Sequence, residues 1–246
     1  ALAEQQAKPQ FKFNPAPGIT QAFQIKYIFR SVPDPITPPI DTVGVSYKLA
    51  VTPTLENGGY RLRLVVSEVE RPPNDRIDMV IAAALLLDNL AIDMIADARG
   101  FLKEVDNWPS VQGVLQERAN ALPPEIWGVA RSITDGHTSK QVAWHLARVI
   151  DAMNFARSYV GFAERFGAST VTWHGGLEID VTVEPPNSEG GMAVTWSLPS
   201  GAGFWKEGQG RGIIRRDGFV APLTRSVSRD GGRTLEVHEI EPLVAP

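Results

Sequence analysis

The chain of 246 residues has no cysteine, which excludes disulfide bonds, thiolate metal sites and a cysteine nucleophile. Positive charge is not in excess either, because 24 basic residues stand against 28 acidic ones. Nucleic acids and anionic membrane surfaces attract strongly basic proteins, so we expect no nucleic acid partner. The longest apolar run, Met79 to Leu87, is far shorter than the ~20 residues of a membrane-spanning helix. The protein is therefore not expected to be integral to a membrane.

Sequence signatures of a particular reaction are missing as well. The four histidines show no i, i+3 or i+4 spacing and no H-E-x-x-H motif, and no Gly-x-Ser-x-Gly elbow occurs. Gly208-x-Gly210-x-Gly212 resembles a phosphate loop but lacks the Lys-Ser/Thr pair and the helix that would receive a phosphate. It favours a turn between two strands, with an anion site at the neighbouring arginines as the alternative. The sequence thus predicts no metal and no cofactor.

Segments in the first third of the chain alternate apolar and polar residues, as strands with one buried face do. This pattern predicts strands over residues 21–32, 43–51 and 60–66. Between the last two, Asn57-Gly58-Gly59 predicts a tight turn, because asparagine and glycine tolerate a positive φ. The prolines between residues 32 and 39 predict an irregular connection.

The middle third has helical patterns around two short strands. Residues 75–89, rich in Ala, Leu, Ile and Met, predict a short buried helix, and residues 91–95 and 101–105 predict the strands. Asn107-Trp108-Pro109 then predicts a helix start, because proline in the first turn loses no hydrogen bond. We expect that helix to run to about residue 121.

Two further helix signals follow. Pro123-Pro124 predicts the end of one helix and the start of a short successor. Thr138-x-x-Gln141 fits a capping box, in which the two side chains bond the free N–H groups at a helix start. Apolar residues then recur at helical spacing, which predicts the longest amphipathic helix over about residues 139–158.

The last third returns to strands, separated by turns rich in glycine, proline and aspartate. The predicted strands are Ser169 to Trp173, Leu177 to Glu184, Met192 to Leu198, Gly212 to Arg216, Phe219 to Arg229 and Arg233 to Ile240. Parallel β-α-β alternation is not visible, so the predicted class is α+β. We expect a large curved antiparallel sheet, an open or half barrel, with helices from the middle of the chain covering one face. The predicted organisation is an extended N-terminal segment, residues 1–20, and a single α+β half-barrel domain, residues 21–246.

Tryptophan is the residue type in surplus, with six in the chain. Large side chains between a curved sheet and its helices can be ordinary core. In an open sheet the same residues line an apolar cavity suited to a lipid or an aromatic small molecule. The candidate ligand-binding residues are large aromatic side chains on predicted strands: Phe23, Tyr27, Tyr47, Trp173 and Trp196. No catalytic residue is assigned.

The first residues carry a signal of export. Ala1-Leu2-Ala3 has the small-x-small form that precedes a signal-peptidase cut, and residues 4–17 are polar and contain proline, like the start of a mature exported protein. The alternative is that the tripeptide is a chance match. We therefore expect a periplasmic or otherwise exported protein.

The strand-rich ends, the helical insert and this export signal together resemble the periplasmic lipoprotein-carrier (Lol-type) half-barrel fold and related exported bacterial proteins of unknown function. The resemblance covers about residues 20–240. Its most family-like stretch runs from Asp93 to Trp108, a strand-Gly-strand-Asn-Trp unit that leads into a helix. The resemblance implies an antiparallel half barrel whose helices shelter acyl chains.

Three functions are compatible with these patterns. The first is an exported binding or carrier protein for a hydrophobic ligand, a lipid or aromatic small molecule, held between the sheet and the helices. The alternative is an enzyme, a lyase, isomerase or hydrolase, acting on a hydrophobic or aromatic substrate in the same cavity. The third is a subunit that docks another protein through a sheet edge or a helical face. The ligand and the oligomeric state are left open.

Overall fold

The computed structural model describes residues 8–31, 43–71, 79–147, 165–173, 177–198, 205–229 and 234–244. The strands within them are β1 (Gln21–Ser31), β2 (Val43–Glu56), β3 (Gly59–Glu70), β4 (Ala91–Asp97), β5 (Leu102–Val105), β6 (Gly167–Trp173), β7 (Leu177–Val183), β8 (Met192–Leu198), β9 (Trp205–Ile214), β10 (Val220–Arg229) and β11 (Thr234–Leu243). The helices are α1 (Met79–Leu87), α2 (Trp108–Ala121), α3 (Pro124–Thr134) and α4 (Ser139–Ala147). Among these described helices, none has both the length and the apolar character that crossing a lipid bilayer requires.

The strands form one antiparallel sheet in the order β5-β4-β3-β2-β1-β11-β10-β9-β8-β7-β6. The chain starts at the centre with β1, meanders outward to the edge strand β5 and resumes at the opposite edge with β6. It then meanders back to the centre, where β11 pairs with β1 from Ala22↔Leu243 to Ser31↔Thr234. The two edge strands do not pair with each other, so the sheet is open. The predicted α+β class, an open curved antiparallel sheet with helices over one face, is confirmed.

One face of the sheet is buried and is called the inner face below. The strand register aligns its side chains in rows, one of which contains Tyr47, Ile25, Ile240 and Leu223 on β2, β1, β11 and β10. Each of these four side chains is at most 1% exposed. The removal of this apolar surface from water is the main force that holds a sheet against its covering elements. The period-two pattern of the first strands therefore predicted their facing correctly.

Helix α1 forms a layer between the sheet and two other helices. It contacts β2 and β3 on one side and α2 and α3 on the other. Because it is covered on both sides, its residues 80–84 are at most 4% exposed and its sequence is apolar all round. At its C-terminal end, Arg118 Nη1 donates to the carbonyl oxygens of Leu86 at 3.0 Å and Asp88 at 2.6 Å. This side chain satisfies backbone groups that a helix end leaves without intrahelical partners.

The hairpin between β2 and β3 has the predicted turn. Glu56 pairs with Gly59, which leaves Asn57 and Gly58 as the two turn residues. Gly58 has a φ of 78°, in the left-handed region that glycine adopts without a steric penalty. The local turn chemistry was therefore sufficient to predict this hairpin.

The capping box at the start of α4 is also confirmed. The backbone N–H of Thr138 donates to Gln141 Oε1 at 2.9 Å, and the N–H of Gln141 donates to Thr138 Oγ1 at 3.3 Å. Val142, in the first turn, is fully buried, and α4 packs against β5. The side chains that follow Ala143 in α4, and residues 148–158 of the predicted helix, lie outside the described residues.

The turn predicted at residues 208–212 is wrong. All three glycines lie inside β9, and Gly210 pairs with Arg225 of β10 on one side and Trp196 of β8 on the other. The strand predicted to begin at Gly212 begins at Trp205. Glycine serves here to make room, because a Cβ at Gly210 would overlap the indole of Trp196. Glycine in a strand interior often marks such a close approach of a neighbouring group.

Residues before β1 take part in the core. Phe13 is 3% exposed and packs edge-on against Tyr60 and Phe219, with ring centroids 4.9 Å and 5.4 Å apart. The Tyr60 hydroxyl donates to the carbonyl oxygen of Phe13 at 3.1 Å. The described part of the N-terminal segment is thus attached to the sheet. The division of the chain into this segment and a domain at residues 21–246 stays a prediction.

The opposite, outer face of β3 and β4 carries ion pairs. Arg63 contacts Asp93 at two points, with Nε 2.9 Å from Oδ1 and Nη2 3.0 Å from Oδ2, and Arg61 pairs with Asp106. The hydrogen bonds from Arg63 hold the pKa of Asp93 below its ordinary value. Pairs of this kind at a protein surface stabilise only weakly.

Candidate functional site

Polar side chains of β10 and β11 lie on the inner face, next to Tyr27 of β1. Tyr27, His238 and Arg225 are direct cross-strand neighbours, and Glu236 lies two residues before His238 on the same face. His238 is 4% exposed and Glu236 is 8% exposed. We call these four residues the polar cluster. Because burying polar groups is costly unless they are hydrogen-bonded, this cluster is the candidate functional site of the inner face.

One part of the polar cluster is the contact between Tyr27 and Glu236. The Tyr27 hydroxyl donates to Glu236 Oε1 at 2.9 Å, and Tyr27 is fully buried. A hydrogen bond to a carboxylate is stronger than one between neutral groups, more so away from water. The Tyr27 ring also meets the His238 ring, with centroids 4.6 Å apart and planes at 64°. The phenol thus connects the carboxylate with the imidazole.

The other part is the contact between Arg225 and His238. Arg225 Nε lies 3.0 Å from His238 Nδ1. A guanidinium group can only donate, so Nδ1 is the acceptor, and the proton of the imidazole is on Nε2. This bond holds the planar guanidinium along the row of cross-strand neighbours. The arrangement combines a permanent cation with two groups that can transfer protons, so it can bind an anion or take part in acid–base chemistry.

Sequence reasoning missed the cluster, although β11 contains a signal for it. In β11 the inward positions are Glu236, His238 and Ile240, while Leu235 and Val237 are more exposed. Apolar residues facing outward and polar residues facing inward invert the usual pattern of a half-buried strand. Departures of this kind are expected at functional sites. The inversion is readable only once the facing of β11 is known.

Beside the polar cluster, β9 contributes three glycines to the inner face, and side chains of the neighbouring strands fill the space over them. Gly208, Gly210 and Gly212 alternate along the strand and so share this face. The indole of Trp196, which is 4% exposed, lies across Gly210. We call the three glycines the glycine floor. Arg225 borders this floor directly, because it is the cross-strand neighbour of Gly210.

A groove of about 420 Å³ opens where β3 ends beside β1 and β2. Its lining includes Lys26, Ile28 and Ser46, whose side chains the strand register places on the outer face, and Tyr27 and Val45, which are at most 2% exposed. Ligand sites in proteins commonly have volumes of about 300–1,000 Å³ and largely apolar walls. The groove therefore opens on the outer face, whereas the side chain of Tyr27 meets the polar cluster on the inner face.

The structure places four of the five predicted ligand-binding side chains on the inner face. Phe23, Tyr27 and Tyr47 are at most 1% exposed and lie together on β1 and β2. Trp196 faces the same way on β8, four strands from β1, about 19 Å across the sheet. The side chain of Trp173 lies outside the described residues. Of the four that are described, Tyr27 borders the groove, and ligand binding by the set stays a prediction.

The described part of the chain was compared with the residue groups that bind metal ions. Within those residues, no three His, Asp or Glu side chains come close enough together to hold a metal ion. The polar cluster itself contains one imidazole and one carboxylate, and the adjacent guanidinium would repel a cation. Its donor set therefore suits an anion better than a metal.

The comparisons with known proteins concern the fold. No protein-family model matches the sequence. No curated protein matches it either. A solved structure described as lipid–protein interactions in lipovitellin aligns with 94% of this chain and 26% of that one, at a TM-score of 0.48 and 11% sequence identity. This chain therefore spans about a quarter of the length of the lipovitellin chain that it resembles.

Proposed function

We propose that the protein binds or carries a hydrophobic ligand, a lipid or an aromatic small molecule, at its open sheet. The observation that carries the proposal is the groove of about 420 Å³ beside Tyr27 and Val45. Ile28 gives this groove an apolar wall, and the large apolar side chains of the inner face lie behind it, on the other side of β1 and β2. An apolar ligand in such a groove would remove both its own surface and that of the wall from water.

Titration of the delipidated protein tests this proposal. The probes are methyl dodecanoate, a phosphatidylcholine and naphthalene, and the readouts are tryptophan fluorescence and the melting temperature. We expect a saturable signal and, at a hundredfold excess over Kd, stabilisation of about 2.7 kcal/mol by mass action. If none of the probes gives a saturable signal or a shift in melting temperature, the proposal is wrong.

A pair of matched variants locates the binding. Ile28 lines the groove and is half-buried, whereas Leu55 on the same pair of strands is 68% exposed and lies away from it. Ile28→Gln introduces a polar group into the wall and should weaken binding about tenfold, because part of the apolar contact is lost. Leu55→Gln should leave the affinity unchanged. Equal affinities for the two variants would place the ligand elsewhere.

The polar cluster favours a second candidate function, an enzyme acting on a hydrophobic or aromatic substrate. Histidine, tyrosine and glutamate are the side chains of general acid–base catalysis, and all three occur here within one buried cluster. A screen of aromatic and aliphatic esters would measure turnover. Activity that disappears in His238→Gln while ligand binding persists would support the enzyme. Binding without turnover across the screen would support the carrier.

The same proposal includes export of the protein and the lipoprotein-carrier (Lol-type) architecture. The stretch from Asp93 to Trp108 that carries the likeness is β4, a turn, β5 and the start of α2. Fractionation of the native host, with the protein detected by antibody, tests export. Recovery in the cytosolic fraction contradicts it.

A further inference from the structure

We propose that the edge strand β6 is a dimerisation site, at which a second copy of this chain adds its own β6 in antiparallel pairing about a two-fold axis. The sheets of the two copies would then continue into each other. Thr170, the middle residue of β6, would lie at the axis. The dimer concerns the edge of the sheet and not the groove, so it is independent of the proposed ligand binding.

The two edges of the sheet differ in how they are protected. At one edge, helix α4 packs against β5, and Lys103 and Glu104 place charges on that strand. At the other edge, β6 pairs with β7, and within the described part of the chain its residues 167–172 make no other backbone hydrogen bond. Soluble proteins usually block a free edge with charges, proline, a bulge or a covering element. β5 has two of these protections.

The sequence of β6 contains none of these protections. Its seven residues include no charged residue and no proline, and its pairing with β7 continues over all seven without a bulge. Ala168, Thr170 and Thr172 are exposed, and a Cβ at Gly167 would meet no other atom within 4 Å. The strand is therefore a regular, uncharged and accessible template to which another strand can be added.

β6 is also complementary to itself. A two-fold axis at Thr170 places this residue opposite its own copy and places Ala168 opposite Thr172 of the second copy. Threonines directly opposite each other stabilise a sheet through side-chain hydrogen bonds and packing. Because β6 is uncharged, no like charges meet across the new pair of strands. Since α4 covers the other edge, this pairing closes with two copies and does not continue into a fibre.

The charges nearest to the edge permit this pairing. Glu178 and Asp180 lie on β7 beside the exposed threonines, and Asp180 accepts a hydrogen bond from Thr170 at 3.1 Å. In the dimer, β7 would be three strand spacings, about 14 Å, from its copy. That distance exceeds the Debye length of about 8 Å at physiological ionic strength. The edge therefore accepts the neutral β6 of a second copy, whereas an acidic strand would be repelled.

Cysteine cross-linking tests the register, because the chain has no cysteine of its own. Thr170→Cys should form an intermolecular disulfide under mild oxidation, since opposite residues of antiparallel strands lie about 4.5–5.5 Å apart and a disulfide needs Cα atoms within about 7 Å. Ser197 of β8 is the matched control, because it is exposed and, like Thr170, is a cross-strand neighbour of Asp180. Its copy would be about 24 Å away, so Ser197→Cys should not cross-link.

Analytical ultracentrifugation over a micromolar concentration series measures the dimer itself. We expect the wild type to dimerise reversibly and Thr170→Lys to raise the dimer Kd about tenfold or more, because two like charges then meet at the axis. Thr170→Glu should have the same effect, and an equimolar mixture of the two variants should associate again, because opposite charges then meet. Ser197→Lys should leave Kd unchanged. Circular dichroism and urea unfolding verify that each variant is folded.

Hydrogen exchange gives a readout at the strand. At dilutions where the protein is monomeric, the β6 amides should exchange rapidly, as those of an edge strand do. At concentrations where the dimer forms, they should exchange more slowly, while the amides of β5 should not change. An equal change in both strands would contradict pairing at β6.

The other outcomes are equally clear. A wild type that is monomeric over the whole series overturns the dimer and leaves the proposed ligand binding untouched. A dimer that Thr170→Lys does not weaken uses another surface, and the inference is wrong. If Ser197→Lys weakens the dimer as much as Thr170→Lys, or if both cysteine variants cross-link equally, the effect is not specific to β6 and the inference is also wrong.

Discussion

At the scale of single residues, Tyr27 has an unusual combination of properties. It is fully buried, it donates to a buried carboxylate and its ring contacts an imidazole. Tyrosine supplies apolar surface and a polar tip in one side chain, which suits a position between an apolar face and a polar cluster. The polar tip is therefore a measurable contributor to stability.

Tyr27→Phe should lower the free energy of unfolding by about 1–3 kcal/mol, because the carboxylate of Glu236 loses a hydrogen bond donor inside the protein. Tyr60→Phe is the matched control, since the Tyr60 hydroxyl donates to a neutral carbonyl oxygen. Its cost should be about 0.5–1.5 kcal/mol. Urea unfolding measures both. An equal or smaller loss for Tyr27→Phe would show that Glu236 does not depend on this donor.

Gly210 provides a second prediction at this scale. Gly210→Ala should destabilise the protein by about 1–3 kcal/mol, because the added methyl group displaces the indole of Trp196 from its place on the sheet. At Gly208 an added Cβ would meet Trp196 and Leu198 at 3.4–3.5 Å, which is ordinary contact. Gly208→Ala should therefore be neutral or slightly stabilising. Urea unfolding and tryptophan fluorescence distinguish the two, and equal effects would contradict the close approach at Gly210.

At the scale of secondary structure elements, the turn between β4 and β5 is organised by one carboxylate. Asp97 Oδ1 accepts from the backbone N–H groups of Arg99 at 2.9 Å and Phe101 at 3.0 Å, and Oδ2 pairs with Lys103 at 3.1 Å. Burial, the largest single effect, raises the pKa of Asp97, but these three partners together lower it further, so the net pKa lies below the ordinary value. The ionised form is therefore favoured by folding.

Asp97→Asn should accordingly have a pH-dependent effect on stability. A depressed carboxyl pKa contributes stability that is full above the unfolded value of about 3.9 and is lost as the pH falls through the folded value. We expect the wild type to be more stable than the variant at pH 7 and the difference to shrink below about pH 4. Chemical unfolding across this range measures the difference. A difference that stays constant with pH would assign the effect to hydrogen-bond geometry instead of charge.

The helices and strands also differ in how well the sequence predicts them. The hairpin at Asn57-Gly58 and the capping box of Thr138 and Gln141 depend on chemistry within a few residues, and both are confirmed. The prediction of a turn at the interior glycines of β9 was wrong, because glycine is required there by the indole of Trp196, which lies on another strand. The inward facing of Glu236 was missed for the same reason, since its partner Tyr27 is 209 residues away in sequence. Non-local contacts of this kind leave no local pattern.

At the scale of the whole molecule, the sheet has a centre and two edges. β1 and β11 are flanked by paired strands, whereas β5 and β6 each have one neighbour. Backbone hydrogen bonds open most readily where few packed contacts hold them, which is at edges and ends. The centre of the sheet is therefore expected to be its most stable part.

Native-state hydrogen exchange measures this distribution directly. The amides of β1 and β11 should exchange slowest, through global unfolding, and those of β5 and β6 should exchange fastest. The comparison is internal to one sample, so it needs no variant. Exchange of β11 as fast as that of β6 would show that the central pairing opens independently of the rest of the sheet.

The central pairing also has a consequence for synthesis on the ribosome. β1 emerges well before its partner β11, so one edge of β1 stays unpaired while the strands between them are made. Contacts between such distant segments are slow to form, and unpaired strand edges promote aggregation while they persist. The nascent chain must therefore be protected until β11 has been made, because this strand joins the two halves of the sheet.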